Sequence, residues 1–337
     1  MTERPTRAVM NGKPVIYVPA KTVLNLKSGF VHKLLCDGPT ASLGTACAYR
    51  CGFCYVPSAM AKSPHMQGIS APHADVVVRR ANALDILRSQ LLTAKGQPRF
   101  PDRNDRRVLF MSPLVDVAAN MDLARETIEA CRLILTLTHW QIRLLSKSNL
   151  LPVVAEALGE YMDRLIFGVS TGTLDEKLAR AFEQGTPLVR KRIESLHALQ
   201  DAGFRTYGML CPSLPMENER AYGAFAAEAN EAIRGYRCEH VWAEVINVRG
   251  ESMTRTVRAL RAGNCQAEAE QLLRVSTDAA AWEDYDQATF LAHAEVYASS
   301  PGKLRFLTYV NKATHDWWAP QAARGAVLLG KAAMAAP

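Results

Sequence analysis

Residues 165–211 read LIFGVSTGTLDEKLARAFEQGTPLVRKRIESLHALQDAGFRTYGMLC, and this stretch decides the fold class. It opens on one short run rich in β-branched, aromatic and Leu residues, Leu165–Ser170, and closes on another, Thr206–Cys211. Between them, Thr173 and Glu176 form a capping-box pattern beside Leu174, Leu178 and Phe182. Val189, Ile193, Leu196 and Leu199 then recur at helical spacing over 188–202. Gly203 follows where a C-terminal capping glycine belongs. The stretch reads strand, helix, helix, strand.

Working outward, further strands are expected at Phe30–Leu35, Val108–Ser112, Ile142–Lys147 and Val241–Asn247. A helix over 76–94 would align Val77, Leu84, Leu87 and Leu91. One over 122–137 would align Ala124, Ile128, Cys131 and Leu135, placing Cys131 in a core stripe. Strand and helix alternate about six times, which argues for an α/β fold with a parallel sheet and helices outside it. Curled up, six such units make a partial (β/α)6 TIM-like barrel, with chemistry expected at the C-terminal ends of its strands. After about Ser252 the rhythm breaks. A helical stretch near 266–297, a strand Lys303–Val310 and the aromatic pair Trp317 and Trp318 read as a C-terminal α/β extension, and the final GAVLLGKAAMAAP as a terminal helix. The expected division is an N-terminal segment 1–29, the barrel 30–250 and the extension 251–337.

The 337 residues are 48% hydrophobic and 22% charged, an ordinary globular balance. No apolar run approaches the roughly 20 residues of a membrane helix, and the N-terminal MTERPTRAVMNGKPV has no signal-peptide core, so a soluble cytoplasmic protein is expected. The formal charge of +7 is concentrated early: residues 1–110 hold 16 Lys and Arg against 6 Asp and Glu. Such a basic half fits a polyanionic partner such as nucleic acid, or only a well-solvated surface.

Of eight cysteines, three fall within SLGTACAYRCGFCY, residues 42–55. In a long chain without an export signal, that crowding points to a metal or redox site. The scattered Cys36, Cys131, Cys211, Cys238 and Cys265 read as small buried apolar residues. Thiolates from Cys47, Cys51 and Cys54, spaced x3 then x2, can converge on one face of an iron–sulfur cube and leave one iron open. A structural zinc is the competing reading, with Cys36, His65 or His73 as the fourth ligand.

The C-x3-C-x2-C spacing, with Phe53 before the last Cys, resembles the signature of the radical S-adenosylmethionine superfamily. The resemblance implies a [4Fe-4S] cluster whose open iron chelates S-adenosyl-L-methionine, and a reductase or flavodoxin-type electron donor. One electron then yields a 5′-deoxyadenosyl radical that takes hydrogen from substrate. Within the superfamily, four features resemble the spore photoproduct lyase group over roughly residues 30–250: Tyr55 after Cys54, LLSKSNLL at 144–151, the block 168–204, and LCPSLPMEN at 210–218. That likeness implies Ser170 at the cofactor ribose and Lys147 at its carboxylate or ribose. It places backbone around Phe53 and Cys211 near adenine, and Ser112 and Asp116 at the methionyl amine.

Two departures stand out. No cysteine occurs among Phe110, Met111, Ser112, Pro113, Leu114 and Val115, where the group carries its hydrogen donor; Tyr55 is a candidate donor in its place, or a packed aromatic. Glu183 is followed by Gln184 and Gly185, not proline. The substrate implied is a DNA base, for repair or for modification such as a rearrangement, with Trp242, Tyr309, Trp317 and Trp318 as stacking candidates. The alternatives are a radical enzyme on a small molecule, peptide or tRNA, and a non-enzymatic zinc-binding module.

Overall fold

The computed structural model describes residues 9–61, 63, 66, 69, 72–111, 113–248 and 250–330. The chain forms two units: residues 1–50, 54–167 and 185–187 make the first, and 51–53, 168–184 and 188–337 the second. The architecture is mixed α/β, with parallel strands and many helices.

The first unit holds a small sheet in the order Val9–Met10, Lys13–Val18, Val77–Arg80, Gly44–Ala46. Lys13–Val18 runs parallel to Val77–Arg80, with Val15 opposite Val77. A second set of strands, Thr40–Ala41, Val108–Met111 and Gln141–Ser146, is parallel throughout, with Thr40 opposite Phe110 and Val108 opposite Gln141. Met121–Leu137 links the last two strands. The Asn120 side chain caps that helix by accepting from Leu123 N at 3.0 Å, and Cys131 is buried in its core stripe as expected.

Strand Leu165–Thr171 carries the chain across the boundary at Phe167 and Gly168. In the second unit, Arg205–Ser213, His240–Val245, Leu304–Tyr309 and Ala326–Leu329 run parallel in that order. Tyr207 and Trp242 meet edge to face at 5.2 Å in its core. The expected helix over 188–202 is present as Val189–Asp201, and Gly203, with φ +83°, closes it as Phe204 N donates to Leu199 O.

Several expectations need correction. Phe30–Leu35 is no strand: Gly29–Lys33 is a short 3-10 turn capped by Ser28, Leu34 has φ +56°, and the buried Arg143 guanidinium takes the carbonyls of Leu34 (3.1 Å) and Leu35 (2.9 Å). The partner of Val108–Met111 is instead Thr40–Ala41. The helix proposed over 76–94 begins only at Ala83, because the β-branched run before it enters a sheet. The capping box also resolves differently. Asp175 caps the helix Glu176–Phe182 by accepting from Lys177 N (2.7 Å) and Leu178 N (3.0 Å), while the Glu176 carboxylate accepts from Val189 N and Arg190 N at 3.0 Å each and caps the next helix. The stretch 266–297 is two helices, Gln266–Thr277 and Ala279–Val296, separated where Asp278 caps the second. Leu304–Tyr309 continues the parallel sheet, and Ala326–Leu329 is a strand where a terminal helix was expected; residues 331–337 lie outside those described. Trp242 and Trp318 are fully buried, Trp318 stacking on Phe306 at 6.0 Å, so neither offers a face to a base. Trp317 is half-buried against Phe290, and Tyr309 is exposed.

Helix Ala279–Val296 buries two titratable groups with opposite pH signatures. Burial raises Asp286 to about 7, opposed by the Thr308 hydroxyl at 2.6 Å, and lowers His293 to about 4. A carboxyl raised in the fold stabilises it at low pH, and that contribution falls as pH rises from about 4 toward 7. A histidine lowered in the fold contributes stability present above pH 6.5 and lost as pH falls toward 4. The two slopes oppose each other between pH 4 and 6.5. Urea denaturation should therefore find Asp286→Asn gaining stability steadily from pH 4 to 6.5. His293→Gln should lose it over the same window, each by on the order of 1–3 kcal/mol.

Candidate functional site

The segment 44–49 is anchored before its chemistry begins. Gly44–Ala46 pairs antiparallel with Val77–Arg80, and Ala46 packs on Val76 and Val78. Ala48 is buried among Met10, Val15, Val77 and Leu123. Lys13 is 1% exposed, and its Nζ donates to the carbonyl oxygens of Cys47 at 2.6 Å and Tyr49 at 2.9 Å. A buried ammonium is costly unless such acceptors surround it. The apolar Ala48 side chain and the two tethered carbonyls on either side of it fix how Cys47 is presented.

Cys47, Cys51 and Cys54 are all half-buried and free of disulfides. Burial pushes the Cys47 thiol up to about 11, with the Asp116 charge adding to the rise. Backbone N–H groups of Tyr49 and Asp116 work against it, the latter 3.4 Å from Cys47 Sγ. A thiol so placed stays protonated until a cation takes its proton's place. Among the described residues, no three His, Cys, Asp or Glu side chains are gathered as a metal site. The donor set nonetheless fits an iron–sulfur group in kind: three cysteines outside any disulfide within eight residues, with N–H donors aimed at the first sulfur.

Asp116 is the hub of the same unit. Its Oδ1 accepts from the Ser146 hydroxyl at 2.7 Å and from Ala118 N at 2.9 Å, and its Oδ2 accepts from Lys147 N at 2.8 Å. Burial raises its pKa, while those donors and the Lys147 charge oppose the rise. Asp116 thus ties the end of strand Gln141–Ser146 to the turn that holds Cys47, and Lys147 leaves that strand half-buried. The Tyr55 hydroxyl donates to the Pro113 carbonyl, and its ring lies 6.4 Å from Phe30. Ser112 and His65 lie outside the described residues. Of the other zinc candidates, Cys36 is buried, and His73 Nε2 lies 2.8 Å from the Thr45 carbonyl.

In the second unit, Gly52 N donates to Phe182 O at 2.8 Å, and the Phe53 ring packs on Phe182 at 5.5 Å. A Cβ on Gly52 would stand 3.1 Å from Thr256 Cα, so glycine suits the turn between Cys51 and Phe53. Next to Phe182, the fully buried Glu183 pairs with the Arg192 guanidinium, which also donates to Ser170 O at 3.3 Å. The Ser170 hydroxyl reaches Cys211 O at 3.4 Å, and Cys211 Sγ lies 3.7 Å from Glu244 Oε2. The fold therefore brings Ser170 and Cys211 side by side. Lys13, Arg192 and Glu244 were not singled out from the sequence. A Glu183–Arg192 separation of nine residues spans a turn and carries no periodic signal, and Lys13 lies in a strand that reads as plain surface.

No family model matches the chain. An uncharacterized protein, ORF301, of Acidianus two-tailed virus is 24% identical over 212 residues, covering 62% of this chain and 67% of that protein. Among solved structures, spore photoproduct lyase with a cysteine-to-serine substitution superposes with a TM-score of 0.53 at 14% identity, covering 73% of this chain. The same enzyme complexed with dinucleoside spore photoproduct gives 0.52 at 12% identity. A doubly substituted form with bound AdoMet and dinucleoside spore photoproduct gives 0.51 at 14% identity. The match spans 66% of those lyase chains. In fold, this chain is similar to spore photoproduct lyase, a radical S-adenosylmethionine enzyme.

Proposed function

We propose that the chain is an iron–sulfur radical S-adenosylmethionine enzyme acting on a nucleobase in DNA, of lyase or isomerase type. The observation that carries the reading is the run of three cysteines outside any disulfide, Cys47, Cys51 and Cys54, in a chain whose fold is similar to spore photoproduct lyase. When bound by these thiolates, a [4Fe-4S] cluster keeps one iron open for S-adenosyl-L-methionine and supplies one-electron cleavage of its sulfonium.

The chain's own groups would divide the remaining work. Asp116, with its carboxylate held by Ser146 and Lys147, meets the methionyl amine together with Ser112; Lys147 meets the carboxylate or ribose. Ser170 offers a hydroxyl to the ribose, and backbone at Phe53 and Cys211 lines the adenine. Tyr55 would be the hydrogen-atom donor to the product radical. The region 30–250 would form the partial (β/α)6 barrel and 251–337 its extension. Electrons would come from a flavodoxin-type partner. No helix among the described residues is long and apolar enough to cross a membrane. The DNA assignment draws on the basic residues 1–110 and on the bound dinucleoside of the lyase structures.

Anaerobic reconstitution followed by dithionite and S-adenosylmethionine tests the class. The parent should bind about four irons per chain and release 5′-deoxyadenosine. Cys51→Ala should lose the brown chromophore and that product together, and a variant producing it at the parent rate would refute the assignment. Ser170→Ala should weaken S-adenosylmethionine binding about five- to tenfold by calorimetry, the worth of one hydrogen bond. Anisotropy with a single-stranded oligonucleotide should show affinity falling at least about tenfold between 50 and 200 mM salt. Deoxyadenosine formation without oligonucleotide binding at low salt would retain the enzyme class and move the substrate to a small molecule, peptide or tRNA.

A further inference from the structure

Lys13 has no place in the cysteine motif, yet its side chain holds two of that motif's backbone carbonyls. Its Nζ holds Cys47 O and Tyr49 O at 2.6 and 2.9 Å from within a nearly solvent-free pocket. Ala48, between them, is clamped by Met10, Val15, Val77 and Leu123. With both carbonyls turned to the lysine, the Tyr49 N–H reaches Cys47 Sγ, and Asp116 N–H approaches it at 3.4 Å. An ammonium is dear to bury, and a neutral donor would satisfy two carbonyls at less desolvation cost. Retaining the charge makes physical sense if an anion belongs close by. A thiolate-held iron–sulfur cube becomes more negative on reduction. Fixed positive charge and N–H donors to its sulfurs favour the reduced form.

We infer that Lys13 is a positioning residue for the first cluster ligand: it fixes the Cys47–Tyr49 turn and sets the reduction potential of the group that Cys47 holds. The inference rests on the radical S-adenosylmethionine reading for the group itself, but the positioning half does not need a metal.

Two readouts separate these parts. In metal-free protein, alkylation of Cys47 relative to Cys54, followed by peptide mass spectrometry, should rise at least about fivefold in Lys13→Met. Lys13→Gln, which keeps a donor for the carbonyls, should stay near the parent ratio. In reconstituted protein, an EPR-monitored redox titration should show both variants with a reduction equilibrium at least tenfold less favourable, about 59 mV more negative for one electron. Should Lys13→Met fail to fold, Lys13→Gln carries the potential measurement, and Lys13→Arg, with its different reach, carries the alkylation. A parent-like potential in Lys13→Gln overturns the electrostatic role. An unchanged alkylation ratio in folded Lys13→Met, or in Lys13→Arg if that is the variant that folds, overturns the positioning role. If the parent binds no iron, the enzymatic reading fails, while the alkylation ratio still decides whether Lys13 positions Cys47.

Discussion

One ammonium group, buried against two carbonyl oxygens, is the constraint around which the first unit is organised. The Lys13 Nζ is satisfied there because the chain at Cys47–Tyr49 turns its acceptors inward. That turn is held shut by an alanine in an apolar cluster and by the strand pairing of Gly44–Ala46. From it follow the half-buried, protonated Cys47, the approach of the Asp116 N–H, and through Asp116 the end of strand Gln141–Ser146. For the proposed cluster, such a frame would leave less order to be imposed on binding than flexible polar side chains would.

The second unit uses a different device for a similar end. Glu183 and Arg192 are both excluded from water, and their pair is completed by the Ser170 carbonyl. Removing either partner would strand a charge, at a cost of roughly 3–5 kcal/mol, so the two residues have to change together. Phe182, beside Glu183, receives both the Gly52 N–H and the Phe53 ring. The Ser170 strand end and the Cys51–Phe53 turn are thereby referred to one helix end.

Much of this was legible in the sequence, and the parts that were not share a cause. The strands from Val108 to Val245 and the helix with its Gly203 stop announce themselves through periodicity and local stop signals. The cysteine spacing is equally plain, because its three thiols lie within eight residues. Phe30–Leu35 misled because its apolar composition says nothing of Arg143, about a hundred residues away, which claims its carbonyls. Glu176 looked like the cap of its own helix, and only the fold brings the start of the next helix within its reach. Lys13 was invisible for the same reason: a lysine in a short strand is ordinarily solvated, and its burial depends on contacts 34 and 36 residues downstream.

The narrow fit of Gly52 against Thr256 carries a consequence for how this protein can diverge. The second residue of the C-G-F-C turn is tied to the helix Ser252–Ala262, far along the chain and outside the cysteine signature. A bulkier side chain at position 52 would demand that this helix retreat, so the two segments are bound to drift in concert. Chimeras that exchange the C-terminal part alone should inherit a misfitting turn unless the helix at Thr256 travels with its glycine.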